Sequence, residues 1–232
     1  VYVAPERFRD PRFVAALSGG KISFVAVDEA HCVSFWGHDF RPDYLRVGQF
    51  VERLGRPPVA AFTATATPDV RADIQSALKM DGEDVFISGF ARPNLEFRVT
   101  HCGGKADKLA ALGSLLEKHR SGIVYCATRK RVEEVSMALT EWEIAHTAYH
   151  GGMEDSVRKA AQEAFMDRSV DAVVATNAFG MGIDRSDVRF IAHFEMTGSV
   201  EAYYQEAGRA GRDGLPAVCE LLFNHQDRMV QE

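Results

Sequence analysis

Several features that mark other classes of protein are missing from this sequence of 232 residues. No stretch approaches the roughly 20 uninterrupted apolar residues that a membrane-spanning helix needs, and the first residues lack the charged and then apolar layout of a signal peptide. The four cysteines form no C-x-x-C pair of the kind found in zinc sites and redox motifs. Fixed-period repeats and low-complexity tracts are absent too. We therefore expect a soluble, cytoplasmic protein with reduced thiols and no membrane partner.

Basic residues are also fewer than acidic ones. The chain has 27 Lys and Arg against 33 Asp and Glu, which gives a formal net charge of -6 at pH 7. This balance argues against a protein that is basic over its whole surface. A local basic groove is still compatible with a net negative charge, and acids gathered around a metal would contribute to that charge. With 46% hydrophobic residues, the chain is long enough for one large or two modest domains with a core.

A phosphate-binding loop of the form G-x-x-x-x-G-K-[ST] is missing as well. Such a loop supplies backbone N–H groups and a lysine to the β- and γ-phosphates of a nucleotide. Gly20-Lys21 is followed by Ile22, and Gly104-Lys105 is followed by Ala106, so neither pair has the Ser or Thr that the loop requires. Because the chain opens on Val1 and not on methionine, we expect a fragment of a longer protein.

What the sequence does contain is an alternation of apolar runs and helical periodicity, which predicts an α/β fold with parallel sheets flanked by helices. The predicted strands are Phe24–Val27, Val59–Phe62, Val85–Ser88, Leu95–Val99, Ile123–Cys126, His146–Tyr149, Ala172–Ala175, Phe190–His193 and Val218–Phe223. The predicted helices are Pro42–Arg53, one that starts at Pro68, Asp107–His119, Arg129–Thr140, Asp155–Asp167 and Val200–Ala210. Ala91–Asn94 breaks the periodicity, so we predict two domains, residues 1–93 and 94–232.

Two acids stand directly after an apolar run. Phe24–Val27 is predicted to be a strand buried on both faces, and Asp28 and Glu29 follow it, at the end where open parallel sheets bind ligands. One carboxylate can hold Mg²⁺ through its water shell while the next polarises a water molecule. The sequence D-E-A-H is a weak signal by itself, and a surface turn with solvated acids is the alternative.

Two arginines stand near the end of the last predicted helix. Arg209 and Arg212 lie three residues apart, and glycines follow them. Guanidinium groups match phosphate oxygens with two parallel hydrogen bonds, so these arginines can bind a γ-phosphate. The alternative is that they offset the carbonyl dipole of their own helix.

An aromatic segment, CVSFWGHDFRPDY, covers Cys32–Tyr44. A glycine, an acid and a proline interrupt any period of 2 or 3.6 in it, which favours a loop over a packed element. The alternative is that its rings fill the core.

Taken in order, these motifs resemble the RecQ family of superfamily-two helicases. The matching stretches are Tyr2–Phe8, Ala26–His31, Thr63–Thr67, Ile123–Arg129, Tyr149–Met153, Ala175–Asp184 and Tyr204–Gly214. The aromatic segment is the part that is similar to RecQ enzymes and not to other D-E-A-H helicases.

The resemblance implies two RecA-like lobes, the first truncated at its N-terminus within residues 1–93 and the second in residues 94–232. ATP and Mg²⁺ are the implied cofactors, with ATP between the lobes. The implied activity is ATP-dependent movement 3′ to 5′ on single-stranded DNA, with unwinding at duplex junctions, in DNA repair and recombination. In a bacterium the protein would be associated with the nucleoid. Since the family's phosphate-binding loop lies upstream of the matching region, we expect the chain alone to be inactive.

The resemblance also implies a set of site residues. Those with a catalytic role are Asp28 (also the metal ligand), Glu29, Arg209 and Arg212. Those near the nucleotide are His31, Gly182, Asp184 and Gln205. Those that contact DNA are Trp36, His38, Phe40, Arg41 and Thr176.

Alternatives remain open at this stage. His31 is implied to link the nucleotide site to Thr63–Thr67, although Thr67 is explained equally well as a helix cap. Thr176 fits a plain turn about as well as a DNA contact. A non-catalytic DNA-binding or interaction module is the rival to a helicase, and an RNA helicase or a nuclease-linked translocase is a further possibility, against which the aromatic segment weighs.

Overall fold

The structure, a computed structural model, describes residues 1–34, 40–80, 84–89, 91–180 and 183–230. The chain forms two compact units, Val1–Gly89 and Phe90–Glu232. Both contain parallel strands and helices, which confirms the predicted α/β class. No helix in these ranges is long and apolar enough to cross a membrane.

The first unit has a small parallel sheet. Strand β1 (Val25–Val27) pairs with β2 (Val59–Ala61). The helices are α1 (Pro11–Ser18), α2 (Leu45–Arg53) and α3 (Pro68–Leu78), and short 3₁₀ turns cover Pro5–Arg9, Ala30–Val33 and Pro42–Tyr44. Apolar side chains from the sheet, α2 and α3 form one core, with Val27, Val51, Val70, Ile74 and Leu78 buried.

Helix α3 starts as predicted. Thr67 takes the cap position, where its hydroxyl accepts a hydrogen bond from the Val70 N–H at 3.4 Å, and Pro68 stands in the first turn. A proline there costs nothing because the first N–H groups of a helix have no partner within it.

Two predictions for this unit are wrong. Phe24 lies outside β1 with 53% of its side chain exposed, and within β1 only Val27 is buried, because β2 is the only strand paired with β1 among the described residues. Residues 84–89 form no strand. The run Val85–Ile87 has strand-forming side chains but is exposed, and no neighbouring strand accepts its hydrogen bonds within the part of the chain that the structure describes.

The second unit is built on a six-stranded parallel sheet in the order β3-β8-β7-β4-β6-β5. Its strands are β3 (Leu95–His101), β4 (Gly122–Tyr125), β5 (His146–Tyr149), β6 (Ala172–Ala175), β7 (Phe190–His193) and β8 (Ala217–Phe223). Its helices are α4 (Lys105–Lys118), α5 (Arg129–Glu141), α6 (Asp155–Met166) and α7 (Val200–Ala207), and a 3₁₀ turn covers His225–Val230. The central strands β4, β6 and β7 are completely buried.

Helices cover both faces of this sheet. Alternate residues of a strand point to opposite faces. Val124 accordingly packs in a core with Leu112 of α4 and Val135 of α5, while Ile123 packs in a second core with Phe165 of α6. The doubly covered parallel sheet is the arrangement that the strand and helix alternation predicts.

The junction between the units falls at Gly89 and Phe90, ahead of the boundary that the sequence places after Pro93. Arg92 explains the difference, because its guanidinium group donates hydrogen bonds to the backbone carbonyls of Gly208, Ala210 and Gly211 in the second unit. The assignment of the units to two helicase lobes stays a prediction.

All four cysteines are buried and none forms a disulfide. Burial raises the pKa of the Cys102 thiol, raises that of Cys126 well above its ordinary value, and raises that of Cys219 to about 12. These residues act as small apolar groups in the core.

Two glycines of the second unit provide opposite tests of this packing. A Cβ atom on Gly122 of β4 would overlap the ring of Phe190, whose side chain is completely buried. We expect Gly122→Ala to lower the free energy of unfolding by about 1–3 kcal/mol, the usual cost of overpacking a core. In α4, a Cβ on Gly113 would lie 3.8 Å from the Trp142 ring, an ordinary contact.

Gly113→Ala should therefore raise the free energy of unfolding by up to about 1 kcal/mol, because alanine is the better helix former. Urea unfolding of the two variants beside the parent chain checks both signs. A Gly122→Ala protein as stable as the parent would show that β4 and β7 are not packed as described.

Candidate functional site

The two acids of the first unit lie in a turn at the carboxyl end of β1. Asp28 and Glu29 are exposed, and an Asp28 carboxylate oxygen accepts the Glu29 backbone N–H at 2.9 Å. Glu29 has a φ of 49°, in the left-handed region that a residue other than glycine seldom adopts. This turn directs both carboxylates to solvent. Their exposure alone is what the surface-turn interpretation also expects, so the neighbouring contacts matter.

His31 connects the acids to the segment after β2. Its ring is only 2% exposed, and its Nδ1 atom lies 3.0 Å from the Thr63 hydroxyl and 3.4 Å from a Glu29 carboxylate oxygen. The Thr63 hydroxyl also accepts the backbone N–H of Thr65 at 3.2 Å. A surface turn of solvated acids does not require a buried histidine that is hydrogen-bonded to the segment after the next strand. A continuous polar chain therefore runs from Glu29 through His31 to the threonines.

The residues around Asp28 offer few ligands to a metal ion. Mg²⁺ is held in nucleotide sites by one or two carboxylates together with phosphates and water. Among the described residues there is no group of three or more His, Cys, Asp or Glu side chains that could hold a metal. One exposed carboxylate in an open turn thus fits Mg²⁺ that comes with a nucleotide, and not a metal enclosed by the protein.

Both ends of the aromatic segment are tied to the first unit. On the side that leads in, the Ser34 hydroxyl donates to a carboxylate oxygen of Asp73 in α3 at 2.5 Å. On the side that leads out, Arg9 donates two hydrogen bonds of 2.6 Å to the Asp43 carboxylate, which lowers the pKa of that carboxyl. The segment therefore starts and ends at fixed points.

Four of the five DNA-contact residues implied by the resemblance belong to this segment. Phe40 and Arg41 are half-buried, and the Arg41 backbone N–H donates to the Cys32 carbonyl at 3.0 Å, which closes the segment at its base. Trp36 and His38 lie outside the described residues, as does Gly182, one of the residues assigned to the nucleotide.

The two arginines of the second unit both contact the segment after β6. Helix α7 ends at Ala207, before either arginine. Arg209 donates to the Gly180 carbonyl at 2.5 Å, and Arg212 donates to the Ile183 carbonyl at 3.1 Å. Arg212 also pairs with the Asp184 carboxylate at 3.2 Å. The contacts do not match the alternative in which the arginines serve the last carbonyls of their own helix.

The structure thus brings some predicted residues together and leaves others apart. Arg212 and Asp184 are in direct contact, and Arg209 binds the same segment. Gln205, on α7, is half-buried. Thr176 follows β6 directly, and its backbone N–H donates to the Tyr149 carbonyl at 3.1 Å.

Sequence reasoning missed a buried polar group beneath α7. His193, at the end of β7, is fully buried, and its Nε2 atom lies 2.8 Å from a carboxylate oxygen of Glu206 in α7. The ring of His193 stacks on Tyr125 with centroids 5.5 Å apart. Burial raises the pKa of the Tyr125 hydroxyl, which donates to the Phe179 carbonyl at 2.9 Å. The sequence signal for this group is a histidine, His193, at the end of an apolar strand.

A cleft of about 140 Å³ opens beside this group at the carboxyl ends of β4 and β7. Asn177, the neighbour of Thr176, lines it together with Ala127 and Glu195. Glu195 is buried, and burial raises its pKa, while it accepts hydrogen bonds from the Ala127 N–H at 3.0 Å and from Arg131 at 2.7 Å. The cleft wall is therefore polar and held by hydrogen bonds.

Comparison with known proteins gives a consistent result. A family model described as helicase conserved C-terminal domain matches residues 107–214. The ATP-dependent DNA helicase RecQ of Bacillus subtilis is 46% identical over 231 residues, which is 99% of this chain and 39% of that protein. The chain thus spans well under half of the length of this curated relative.

Solved structures match in fold. Dbp5 of S. cerevisiae bound to RNA and ADP BeF3 has a TM-score of 0.74 and 20% identity, over 91% of this chain and 56% of that chain. Helicase Lhr of Mycobacterium smegmatis bound to ssDNA and AMP-PNP has a TM-score of 0.74 and 20% identity, over 95% of this chain and 31% of that chain. At this identity the likeness concerns the fold alone, and it confirms the predicted RecA-like fold.

The buried pair beneath α7 generates a test. In Glu206→Ala the Nε2 atom of His193 loses its partner in the core, so we expect the free energy of unfolding to fall by about 1–3 kcal/mol. Glu206→Gln keeps an acceptor and should lose less. Urea unfolding measures both.

Glu163→Ala in α6 is the matched control, because the Glu163 carboxylate forms an exposed pair with Lys159 at 3.7 Å. Such a pair contributes about 0.3–0.5 kcal/mol. Equal effects of Glu206→Ala and Glu163→Ala would mean that the His193–Glu206 contact does not stabilise the second unit.

Proposed function

Because the chain belongs to the RecQ family of helicases, we propose that the full-length protein is an ATP-dependent DNA helicase that moves 3′ to 5′ on single-stranded DNA and unwinds duplex junctions. The observation that carries this proposal is the contact between buried His31 and Thr63 beside Glu29, since it connects the candidate catalytic acid to Thr63–Thr67, a second stretch that resembles the helicase family. The relative from Bacillus subtilis bears the name ATP-dependent DNA helicase.

The acids supply the chemistry of hydrolysis in this proposal. Asp28 would hold a Mg²⁺ ion, whose charge offsets the negative charge of the ATP phosphates. Glu29, half exposed and 3.4 Å from His31, would orient the attacking water and accept its proton. His31 limits the positions that the Glu29 carboxylate can adopt.

The arginines supply positive charge. Arg209 and Arg212 would exchange some of their hydrogen bonds to backbone carbonyls for hydrogen bonds to phosphate oxygens as charge develops there. An arginine placed in this way contributes about 10³–10⁵ in rate to NTP hydrolysis in general. Asp184 and Gln205 would contact the nucleotide beside them, together with Gly182.

The aromatic segment would report DNA to the acids. Trp36 and Phe40 would stack on bases, at about 1–3 kcal/mol each, while His38 and Arg41 bind phosphates. Since both ends of the segment are fixed, a change within it would reach Cys32 and His31, which are neighbours in the 3₁₀ turn Ala30–Val33. Thr176, which lies in the second unit, would bind a DNA phosphate.

A second candidate function is a DNA-binding module without catalysis. The observation in its favour is that residues 1–232 contain no phosphate-binding loop. The presence of both acids and both arginines favours the helicase. An RNA substrate finds support only in fold likeness, which does not distinguish the two nucleic acids.

Residues 1–232 by themselves should hydrolyse ATP at a background rate, because no backbone loop or lysine is available for the β- and γ-phosphates. Phosphate release by the purified chain, with and without single-stranded DNA, measures this. Turnover that Glu29→Gln removes, in a preparation free of other ATPases, would contradict the expectation.

The full-length protein should hydrolyse ATP with strong stimulation by single-stranded DNA. Glu29→Gln should lower kcat by about 10²–10⁴, the usual contribution of a general base. Trp36→Ala should leave the rate without DNA unchanged and remove most of the stimulation.

Phe86→Ala is the matched aromatic control, because Phe86 is 90% exposed and lies outside the aromatic segment. It should keep full stimulation. DNA binding without hydrolysis in the unsubstituted full-length protein would replace the helicase with the non-catalytic module.

A further inference from the structure

The segment Ala91–Asn94 has no role in the function proposed above, yet two of its side chains make a concentrated set of contacts. Arg92 donates to the backbone carbonyls of Gly208 at 3.3 Å, Ala210 at 3.0 Å and Gly211 at 2.9 Å. All three acceptors belong to the turn that carries Arg209 and Arg212. We call this turn, Gly208–Leu215, the arginine loop.

Asn94 holds the same loop farther along. Its side-chain amide donates to the Gly211 carbonyl at 2.8 Å and to the Leu215 carbonyl at 3.0 Å. A Cβ atom on Gly211 would lie 2.5 Å from the Asn94 nitrogen, so a side chain at 211 would displace the amide. The close approach of Asn94 therefore depends on a glycine at that point.

The arginine loop needs such external support. It follows the end of α7, where the last carbonyls of a helix have no partner within it. Gly211 and Gly214 have φ values of 54° and 82°, which glycine adopts readily. Glycine also leaves the backbone with more alternative conformations than any other residue would. On its other side the loop is held by Arg189, which donates two hydrogen bonds of 2.7 and 2.6 Å to Asp213.

We propose that Arg92 and Asn94 are positioning residues for ATP hydrolysis, which hold the arginine loop so that Arg209 and Arg212 present their guanidinium groups to phosphate. This inference rests on the proposed function. Arg209 lies between two residues whose carbonyls Arg92 binds, so its backbone is fixed from both sides. A misplacement of about 1 Å in a catalytic group can cost about 100-fold in rate.

The position of these residues in the chain adds a consequence. Gly89 is the last residue of the first unit, and Arg92 follows shortly after it. The chain therefore enters the second unit through the residues that hold the arginine loop. A change in the connecting segment would reach Arg209 and Arg212 without passing through the sheet.

The test uses the full-length protein with Asn94→Asp and Arg92→Ala. Asn94→Asp keeps the side-chain shape but directs a carboxylate oxygen at two carbonyl oxygens. At saturating single-stranded DNA we expect kcat to fall about 100-fold in each variant. KM for ATP should change little, because a contact made only in the transition state lowers kcat and kcat/KM together. Arg92→Lys, which restores a single donor group, should recover part of the loss.

Arg98→Ala is the matched control. Arg98 lies on the neighbouring strand β3 and pairs with exposed Glu96 at 2.8 and 2.7 Å, without contact to the arginine loop. Its kcat should equal that of the unsubstituted protein. Hydrogen exchange gives a second readout: in Asn94→Asp and Arg92→Ala the amides of Gly208–Leu215 should exchange faster, and those of β4, β6 and β7 should not.

The outcomes separate the two proposals. If the unsubstituted protein hydrolyses ATP and Arg209→Ala stops it, unchanged kcat in Asn94→Asp and Arg92→Ala overturns the inference alone. Faster exchange throughout the second unit would assign the two residues to folding and would also overturn it. If the unsubstituted protein does not hydrolyse ATP, the proposed function fails, and exchange in the arginine loop still decides whether Arg92 and Asn94 hold it.

Discussion

Parallel pairing of strands is the constraint on which the rest of the structure depends. In parallel sheets all strands end at the same edge, so residues that follow different strands become neighbours. Val27 is in register with Ala61, which brings the acids near Thr63. In the second unit Tyr125 is in register with both Ala175 and His193, so the residues after β4, β6 and β7 form one surface. Asp28 and Glu29, which follow β1, and Thr176, which follows β6, lie at these edges for that reason.

Hydrogen bonds from side chains to backbone carbonyls fix the loops that connect strands and helices. Loops at strand ends lack the regular pairing of a sheet, and their polar groups need other partners. Arginine suits the task, because its planar group presents several donors at once. Arg92, Arg209 and Arg212 all bind carbonyls of segments distant in sequence. Charged residues that a sequence motif assigns to catalysis thus also serve, in this chain, to hold backbone in place.

The sequence predicts the second unit well, since β5, β6 and β7 have the bounds that the apolar runs indicate. The first unit is harder, because Val85–Ile87 has the composition of a strand but no partner strand among the described residues, and composition does not reveal whether a partner is present. The same limit applies to the site. Asp28 and Glu29 are visible in a local motif, whereas pairs such as Arg9 with Asp43 or His193 with Glu206 join distant positions and leave no local signal.

The buried thiols have a practical consequence for fluorescence work. The thiolate is the reactive form of cysteine, and burial holds Cys102, Cys126 and Cys219 in the neutral form at neutral pH. All four native cysteines are also at most 7% exposed. A single cysteine introduced on an exposed helix position of either unit would therefore accept a maleimide dye selectively, without prior removal of the native ones. Site-specific labelling of the chain would therefore leave the packing of its core unchanged.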